Sequence, residues 1–214
     1  DRDRFIMGPS IPLVGDLNGD KRPDIVFSYA KGVIAHQYNP STNTLDLMWN
    51  FDTNDASGST SLSMFNFDQD ENGVMELIYR DEQNLRIIDG QGNDLITYDC
   101  RSSTGNEYAT IADITGDGTT NIIIGGIDAS TNKEYLNIFS HPSNGWAPTR
   151  KVWNQFSYNA VNINEDLTVP RYQLNPATVF PGKDGILGTA DDVLPYNGFL
   201  QQQTILNKHG TPLW

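Results

Sequence analysis

The 214-residue sequence predicts an all-β fold, and three observations point to it. Short runs of β-branched and aromatic residues are separated by frequent turn formers, including 19 glycines and 11 prolines. No segment has the apolar periodicity of a long amphipathic helix. A similar stretch recurs three times, which predicts that one supersecondary unit is repeated along the chain.

Each repeat begins with a short apolar strand, which leads through an acidic loop into a second β-rich run. The first strands are predicted at residues 11–14, 62–67 and 109–112, and the second at residues 25–29, 77–79 and 122–124. Turn signals then separate further strands, predicted at residues 33–38, 45–51, 85–89, 95–98 and 135–140.

Four short strands per unit of roughly 50 residues are typical of a β-propeller blade. Residues 1–145 are therefore predicted to form about three four-stranded blades of a partial propeller. Residues 146–214 lack this periodicity and are predicted to be an irregular fourth blade or an appended module. Since propeller rings use about four to eight blades, further blades, this C-terminal region or a partner are expected to cover the open edge.

The acidic loops place oxygen-bearing groups at every second position. The first loop has Asp16, Asn18, Asp20, the backbone carbonyl of Arg22, and Asp24. The second has Asp68, Asp70, Asn72, the carbonyl of Val74, and Glu76. The third has Asp113, Thr115, Asp117, the carbonyl of Thr119, and Asn121.

This spacing predicts a site for a hard divalent cation, because alternate residues of a tight loop point toward one centre. Calcium accepts about six to eight oxygen ligands in flexible geometry, and the loops lack the His and Cys that softer metals prefer. The sequence therefore predicts about three bound calcium ions. The third loop has only two acids and is expected to bind most weakly.

Two alternatives stay open for these loops. Asp, Asn and Gly also form turns by hydrogen bonding to their own backbone, and such turns need no metal. The register of the second loop is also ambiguous: Asn66, Asp68 and Asp70 are its first three ligands if Glu71 and Asn72 are an insertion.

The repeated stretch, VGDLNGDKRPDIVF in its first copy, resembles the FG-GAP or integrin-α-like (VCBS-type) repeat family. The resemblance covers about residues 11–140 and implies calcium-binding blades of a β-propeller, with the ligands named above. Some positions depart from the family pattern: Lys21, Arg22 and Glu71 replace small residues, and Thr115 and Asn121 replace acids. The Phe-Gly and Gly-Ala-Pro tags that name the family are not evident.

Residues 150–170, RKVWNQFSYNAVNINEDLTVP, are similar to a stretch that follows such repeats in large secreted surface proteins of gliding-type Gram-negative bacteria. This resemblance implies a secreted or cell-surface adhesin. The expected partners are a protein or glycan ligand at a cell surface and the rest of a larger parent chain or complex.

Two further motifs are weaker. The turn-rich stretch at residues 182–192 contains Asp184, Asp191 and Asp192, which could form a fourth calcium site or an ordinary solvated turn. Asp55-Ala56-Ser57-Gly58-Ser59 matches the metal motif of von Willebrand-type adhesion domains. Because the strand before that motif and the helix after it are missing, a loop between blades is predicted instead.

The remaining features argue against other classes of protein. With 14 basic and 27 acidic residues, the formal charge of -13 disfavours nucleic acid and anionic membranes as partners. No apolar run is long enough to span a membrane, and one cysteine cannot form an internal disulfide. The three histidines are isolated, and no catalytic motif is recognisable.

The sequence therefore predicts a non-catalytic, calcium-stabilised propeller segment of a secreted or cell-surface protein, acting in adhesion or ligand binding. One alternative is the propeller part of a carbohydrate-active enzyme such as a polysaccharide lyase, with catalytic residues elsewhere. Another is a structural spacer of a giant surface filament. Aromatic residues near the C-terminus are candidates for sugar binding, with core packing as the default: Trp146, Trp153, Phe156, Tyr158 and Trp214.

Overall fold

The structure, a computed structural model, describes residues 8–68, 74–103, 105–128, 130–143, 145–173, 184–190, 192 and 198–202. These residues form eleven β-strands in three antiparallel sheets and one short 3-10 turn, Ala160–Asn162. The predicted all-β class is confirmed. In the described part of the chain we find no helix with the length and apolar character of a membrane span.

Sheet one consists of four consecutive strands, each hydrogen-bonded to the next. They are β1 (Leu13–Gly15), β2 (Asp24–Tyr29), β3 (Gly32–Asn39) and β4 (Thr44–Asp52). Burial alternates strictly along β2, as expected for a strand whose two faces meet different environments. A register shift between Ala35 and His36 bends the long β3–β4 ribbon.

Sheets two and three repeat this arrangement. Sheet two contains β5 (Ser63–Phe65), β6 (Glu76–Arg80), β7 (Asn84–Ile88) and β8 (Asp94–Asp99). Sheet three contains β9 (Thr110–Ala112), β10 (Asn121–Ile127) and β11 (Glu134–Ser140). The third unit thus has three strands in the described residues, whereas four per blade were expected.

Sheet two lies between the other two sheets, and its faces belong to two separate cores. Met64 and Leu77 pack in the core shared with sheet one, whereas their neighbours Phe65 and Ile78 pack in the core shared with sheet three. All four side chains are buried, so β5 and β6 are apolar on both faces. The sheets therefore stack face to face in chain order. A closed ring is not present among the described residues, so the propeller remains a prediction.

The C-terminal region packs into the first core without forming a regular sheet. Its buried apolar side chains include Val152, Tyr158 and Leu200. Arg150 is only 2% exposed and donates hydrogen bonds to the carbonyls of Ala160 (2.7 Å) and Ile163 (2.6 Å). These bonds hold a loop that has little secondary structure of its own.

Residues 198–202 return to the edge of sheet two that β5 forms. The N–H of Met64 donates to the carbonyl of Leu200 at 2.9 Å, and the N–H of Gln202 donates to the carbonyl of Met64 at 2.9 Å. This segment therefore pairs in parallel with β5 and covers its free edge. Gln201 also donates from Nε2 to the carbonyl of Val14 in β1, at 2.8 Å.

Candidate metal-binding loops

The first acidic loop connects β1 to β2, and its two end acids are buried. Asp16 is the residue after β1, and Asp24 opens β2. The carboxylate of Asp16 accepts hydrogen bonds from the N–H groups of Gly19 (2.7 Å) and Lys21 (2.8 Å), both at positive φ. Asp24 Oδ2 accepts from the N–H of Leu17 at 2.9 Å. The two carboxylates thus organise the loop from its ends.

Asp24 stands out because only one of its oxygens has a partner. The residue is 1% exposed, and its Oδ1 is buried without a hydrogen-bond partner. Burial raises the pKa of Asp24 to about 6, with further contributions from the charges of Asp20 and Asp16. Burial also raises the pKa of Asp16, although three backbone N–H groups oppose that shift. Burying these carboxylates in their charged form therefore costs free energy, and a bound cation would reduce that cost.

The middle of the first loop is more open. Asn18 accepts from the N–H of Asp20 at 2.9 Å, and the exposed Asp20 accepts from the N–H of Arg22 at 2.8 Å. Arg22 itself is exposed. These contacts are Asx-turns, so this part of the loop also matches the metal-free alternative.

The third loop repeats the geometry of the first. Asp113, 2% exposed, accepts from the N–H groups of Gly116 (2.7 Å) and Gly118 (3.0 Å), both at positive φ. Asn121 Oδ1 accepts from the N–H of Ile114 at 3.1 Å. These donors lie three, five and one residues after the first acid, as in loop one.

Two differences set the third loop apart from the first. Its last position is a neutral amide, and Asn121 Nδ2 donates to Ser140 Oγ at 2.8 Å, so both ends of that side chain are bonded. Thr115 donates to Asp113 at 3.3 Å, and Thr119 donates to the exposed Asp117 at 2.6 Å. The third loop therefore has fewer charges and no orphaned oxygen among these side chains, consistent with its lower rank.

Strand pairing resolves the register of the second loop. Phe65 pairs with Glu76 in the same way that Gly15 pairs with Asp24 and Ala112 pairs with Asn121. The N–H of Phe67 donates to Glu76 Oε2 at 2.7 Å. The structural equivalent of Asp16 is therefore Asn66, and the loop is two residues longer.

This register corrects the matching of Asp68 to Asp16 and favours the alternative in which residues 71 and 72 are an insertion. Asp68 is exposed, whereas Val74 and Glu76 are buried. Asp70 and Asn72 lie outside the described residues. Sequence spacing alone did not reveal the insertion, because polar residues occupy alternate positions whether the loop is counted from Asn66 or from Asp68.

No group of three or more His, Cys, Asp or Glu side chains is gathered closely enough to hold a metal ion in the described part of the chain. In loop one, however, the donor set is oxygen-rich and includes the buried, unpartnered Oδ1 of Asp24. That chemistry fits a hard cation. Calcium binding stays a prediction for all three loops.

Of the two weaker motifs, the one at residues 55–59 has a structural role. Asp55 is fully buried and accepts from the N–H of Ser57 (2.8 Å) and the hydroxyl of Tyr79 (2.9 Å) in sheet two. The stretch is thus a loop linking sheets one and two, as predicted. In the other motif, Asp184 accepts from the N–H of Ile186 and Asp192 from that of Gly188, each at 2.7 Å. Asp191 lies outside the described residues, so the possible fourth site remains open.

The aromatic residues near the C-terminus divide into core and surface. Tyr158 is fully buried and stacks on Trp153 with a centroid distance of 4.3 Å. Tyr108 contacts Trp153 and Phe156, and Phe156 is 67% exposed. Trp146 packs against Phe67 in the second core. Trp214 lies outside the described residues.

Comparisons with known proteins find a likeness among solved structures. The chain matches no protein-family model and no curated protein. Among solved structures, it is similar to the crystal structure of the biofilm matrix protein Bap1 of V. cholerae, with a TM-score of 0.61 and 24% sequence identity. The match covers 72% of this chain and 26% of Bap1. The likeness is one of fold, and this chain corresponds to about a quarter of the other protein.

Proposed function

We propose that this chain is a calcium-stabilised β-propeller segment of a secreted or cell-surface protein, and that it acts in adhesion or ligand binding without catalysing a reaction. The observation that carries the proposal is the first acidic loop. There the fully buried Asp24 has an unpartnered carboxylate oxygen close to a second buried acid, Asp16.

A calcium ion at this loop would be held by Asp16, Asn18, Asp20, the carbonyl of Arg22, and Asp24. The ion supplies positive charge where two carboxylates are removed from water. The protein's own part is to fix the loop ends: Asp16 and Asp24 already accept backbone N–H groups from within the loop. Ion binding would therefore stabilise the junction between β1 and β2.

The repeated register supports a propeller. In all three sheets the residue before the acidic loop pairs with the residue that opens the second strand: Gly15 with Asp24, Phe65 with Glu76, and Ala112 with Asn121. The sheets also stack in chain order around shared cores. Both are properties of successive blades.

The similarity of this fold to that of a biofilm matrix protein supports an extracellular setting and membership of a larger protein. A protein or glycan at a cell surface is the proposed ligand class. The half-exposed aromatic group of Tyr108, Trp153 and Phe156 is the surface where a sugar ring would stack. The formal charge of -13 disfavours nucleic acid as the partner.

Calorimetric titration with calcium tests the metal part of this proposal. Asp24→Asn is a matched change, because the third loop uses Asn121 at the equivalent position and still accepts the same backbone hydrogen bond. Because the third loop is expected to bind calcium weakly with Asn at this position, we expect Asp24→Asn to weaken calcium binding at one site per chain. The control is Asp128→Asn, because Asp128 makes a similar Asx-turn outside the acidic loops. Equal calcium affinity at every site in Asp24→Asn and the wild type would contradict a site at loop one.

Binding to a glycan array tests the ligand part. We expect wild-type protein to bind and Phe156→Ala to bind less, since Phe156 is the exposed member of the aromatic group. Absence of binding to any glycan or cell surface would favour the spacer alternative. Release of products from pectin-like polymers by the purified chain would contradict a non-catalytic role.

A further inference from the structure

Sheets one and three each have an apolar face that does not belong to either core. On sheet one this face carries Val14, Ile25 and Leu47. The strand register places them in one row across the four strands, with His36 between Ile25 and Leu47. Leu47 is 58% exposed. On sheet three it carries Ile123 and its partner Ile138, which is 51% exposed.

The repeat makes these two faces unlike each other. We call the face of a sheet that is directed toward the next sheet in the chain its forward face, and the opposite one its backward face. The equivalent forward positions in the three sheets are Val26, Ile78 and Ile123. The equivalent backward positions are Ile25, Leu77 and Ile122.

Both interfaces within the chain pair a forward face with a backward face. Val26 of sheet one shares the first core with Leu77 of sheet two. Ile78 of sheet two shares the second core with Ile122 of sheet three. The faces left over are the forward face of sheet three and the backward face of sheet one. They are therefore the two halves of a third interface of the same kind.

We infer that a second copy of this chain supplies the missing half, with the forward face of sheet three in one copy packed on the backward face of sheet one in the other. Two copies joined in this way at both ends form a closed ring of six sheets, within the range of about four to eight seen in propellers. The chain carries both complementary halves itself, so a second copy can supply each missing face. This inference rests on the proposed propeller architecture but not on calcium or ligand binding.

Charge sets the conditions for this association. Each copy has a formal charge of -13, so two copies repel each other at low ionic strength. Burial of the apolar faces is the opposing, favourable contribution. We therefore expect the ring to be favoured by moderate salt.

Light scattering coupled to gel filtration, in calcium-containing buffer with added salt, tests the inference. We expect wild-type protein to have twice the mass of one chain. Ile138→Lys places a charge on the forward face of sheet three, and Leu47→Lys does so on the backward face of sheet one. Each variant alone should be monomeric. The matched control is Leu95→Lys, because Leu95 is similarly exposed (54%) but lies on sheet two, which already shares a core with another sheet on each side.

Mixing the two variants distinguishes this arrangement from a symmetric one. The intact backward face of Ile138→Lys can still meet the intact forward face of Leu47→Lys, so an equimolar mixture should recover a two-chain species. No recovery on mixing would overturn the head-to-tail pairing. A wild-type protein that is monomeric at all concentrations would overturn a second copy as the occupant, and if it still binds calcium the proposed function survives.

Discussion

At the scale of single residues, buried polar side chains give this molecule its specific contacts. Gln202 is 1% exposed, and its Nε2 donates to the carbonyls of Ile111 (2.7 Å) and Val152 (3.1 Å). Its Oε1 accepts from the hydroxyl of Tyr158 at 2.8 Å. One side chain near the C-terminus thus connects sheet three to the C-terminal loop.

Gln202→Ala should destabilise the fold strongly. The change leaves two buried carbonyls and one hydroxyl without this partner, and each buried polar group left unsatisfied costs about 1–3 kcal/mol. We expect the free energy of unfolding in urea to fall by about 3 kcal/mol. Gln173→Ala is the control, because Gln173 makes an exposed hydrogen bond to Asn162. Equal effects of the two changes would contradict a structural role for Gln202.

The sequence pattern predicted which acidic residues lie in the loops, but it did not predict how those residues are buried and hydrogen-bonded. The alternation of polar residues predicted loops at Asp16, Asp24 and Asp113, and the structure places the turns there. The burial of Asp24 and its unpartnered oxygen are properties of the folded structure, which local spacing does not encode. The role of Gln202 was missed for the same reason, because its partners are 50 and 91 residues away in the chain.

At the scale of elements, the turn between β7 and β8 packs directly on the first acidic loop. Trp49 of β4 donates from Nε1 to the carbonyl of Gly90 at 2.8 Å. A Cβ on Gly90 would lie 1.6 Å from the carbonyl oxygen of Leu17. Sheet two can approach loop one this closely only because residue 90 has no side chain.

Gly90→Ala should therefore separate these two elements. The clash is with backbone, which cannot move aside as a flexible side chain could, so we expect a loss of about 3 kcal/mol in the free energy of unfolding. Gly8→Ala is the control, because a Cβ there meets nothing within 4 Å. Gly90→Ala with the same urea midpoint as the wild type would show that the contact is dispensable.

The strands themselves were largely predictable. Each predicted β-run overlaps an observed strand, because β-branched residues alternate between turn formers throughout these repeats. The register of the second loop was not predictable, since its two extra residues are as polar as their neighbours. Only the pairing of Phe65 with Glu76 reveals the insertion.

At the scale of the whole molecule, calcium should contribute measurably to stability. Saturating one site at about 100 times its Kd adds about 2.7 kcal/mol, which corresponds to a rise in Tm of roughly 5–10 °C for a domain of this size. We expect a chelator to lower the Tm of the wild type by this amount and that of Asp24→Asn by less. Superimposable melting curves with calcium and with chelator would contradict a stabilising role for the ion.

The order in which the sheets stack follows from the repeat, but the position of the C-terminal segment does not. Nothing in the composition of residues 198–202 distinguishes them from a surface loop. Their pairing with β5 depends on a free strand edge that exists only after sheet two has formed. The sequence therefore predicted the repeated sheets but not the segment that covers the free edge of β5.

The hydrogen bond from Gln201 to the carbonyl of Val14 joins residues 187 positions apart, so β1 gains this partner only after Gln201 has been synthesised. Contacts of such long range slow folding, because a large loop must close before they form. A nascent chain would consequently keep β1 without this contact until residues 198–202 have emerged, and the first core would complete its packing only then.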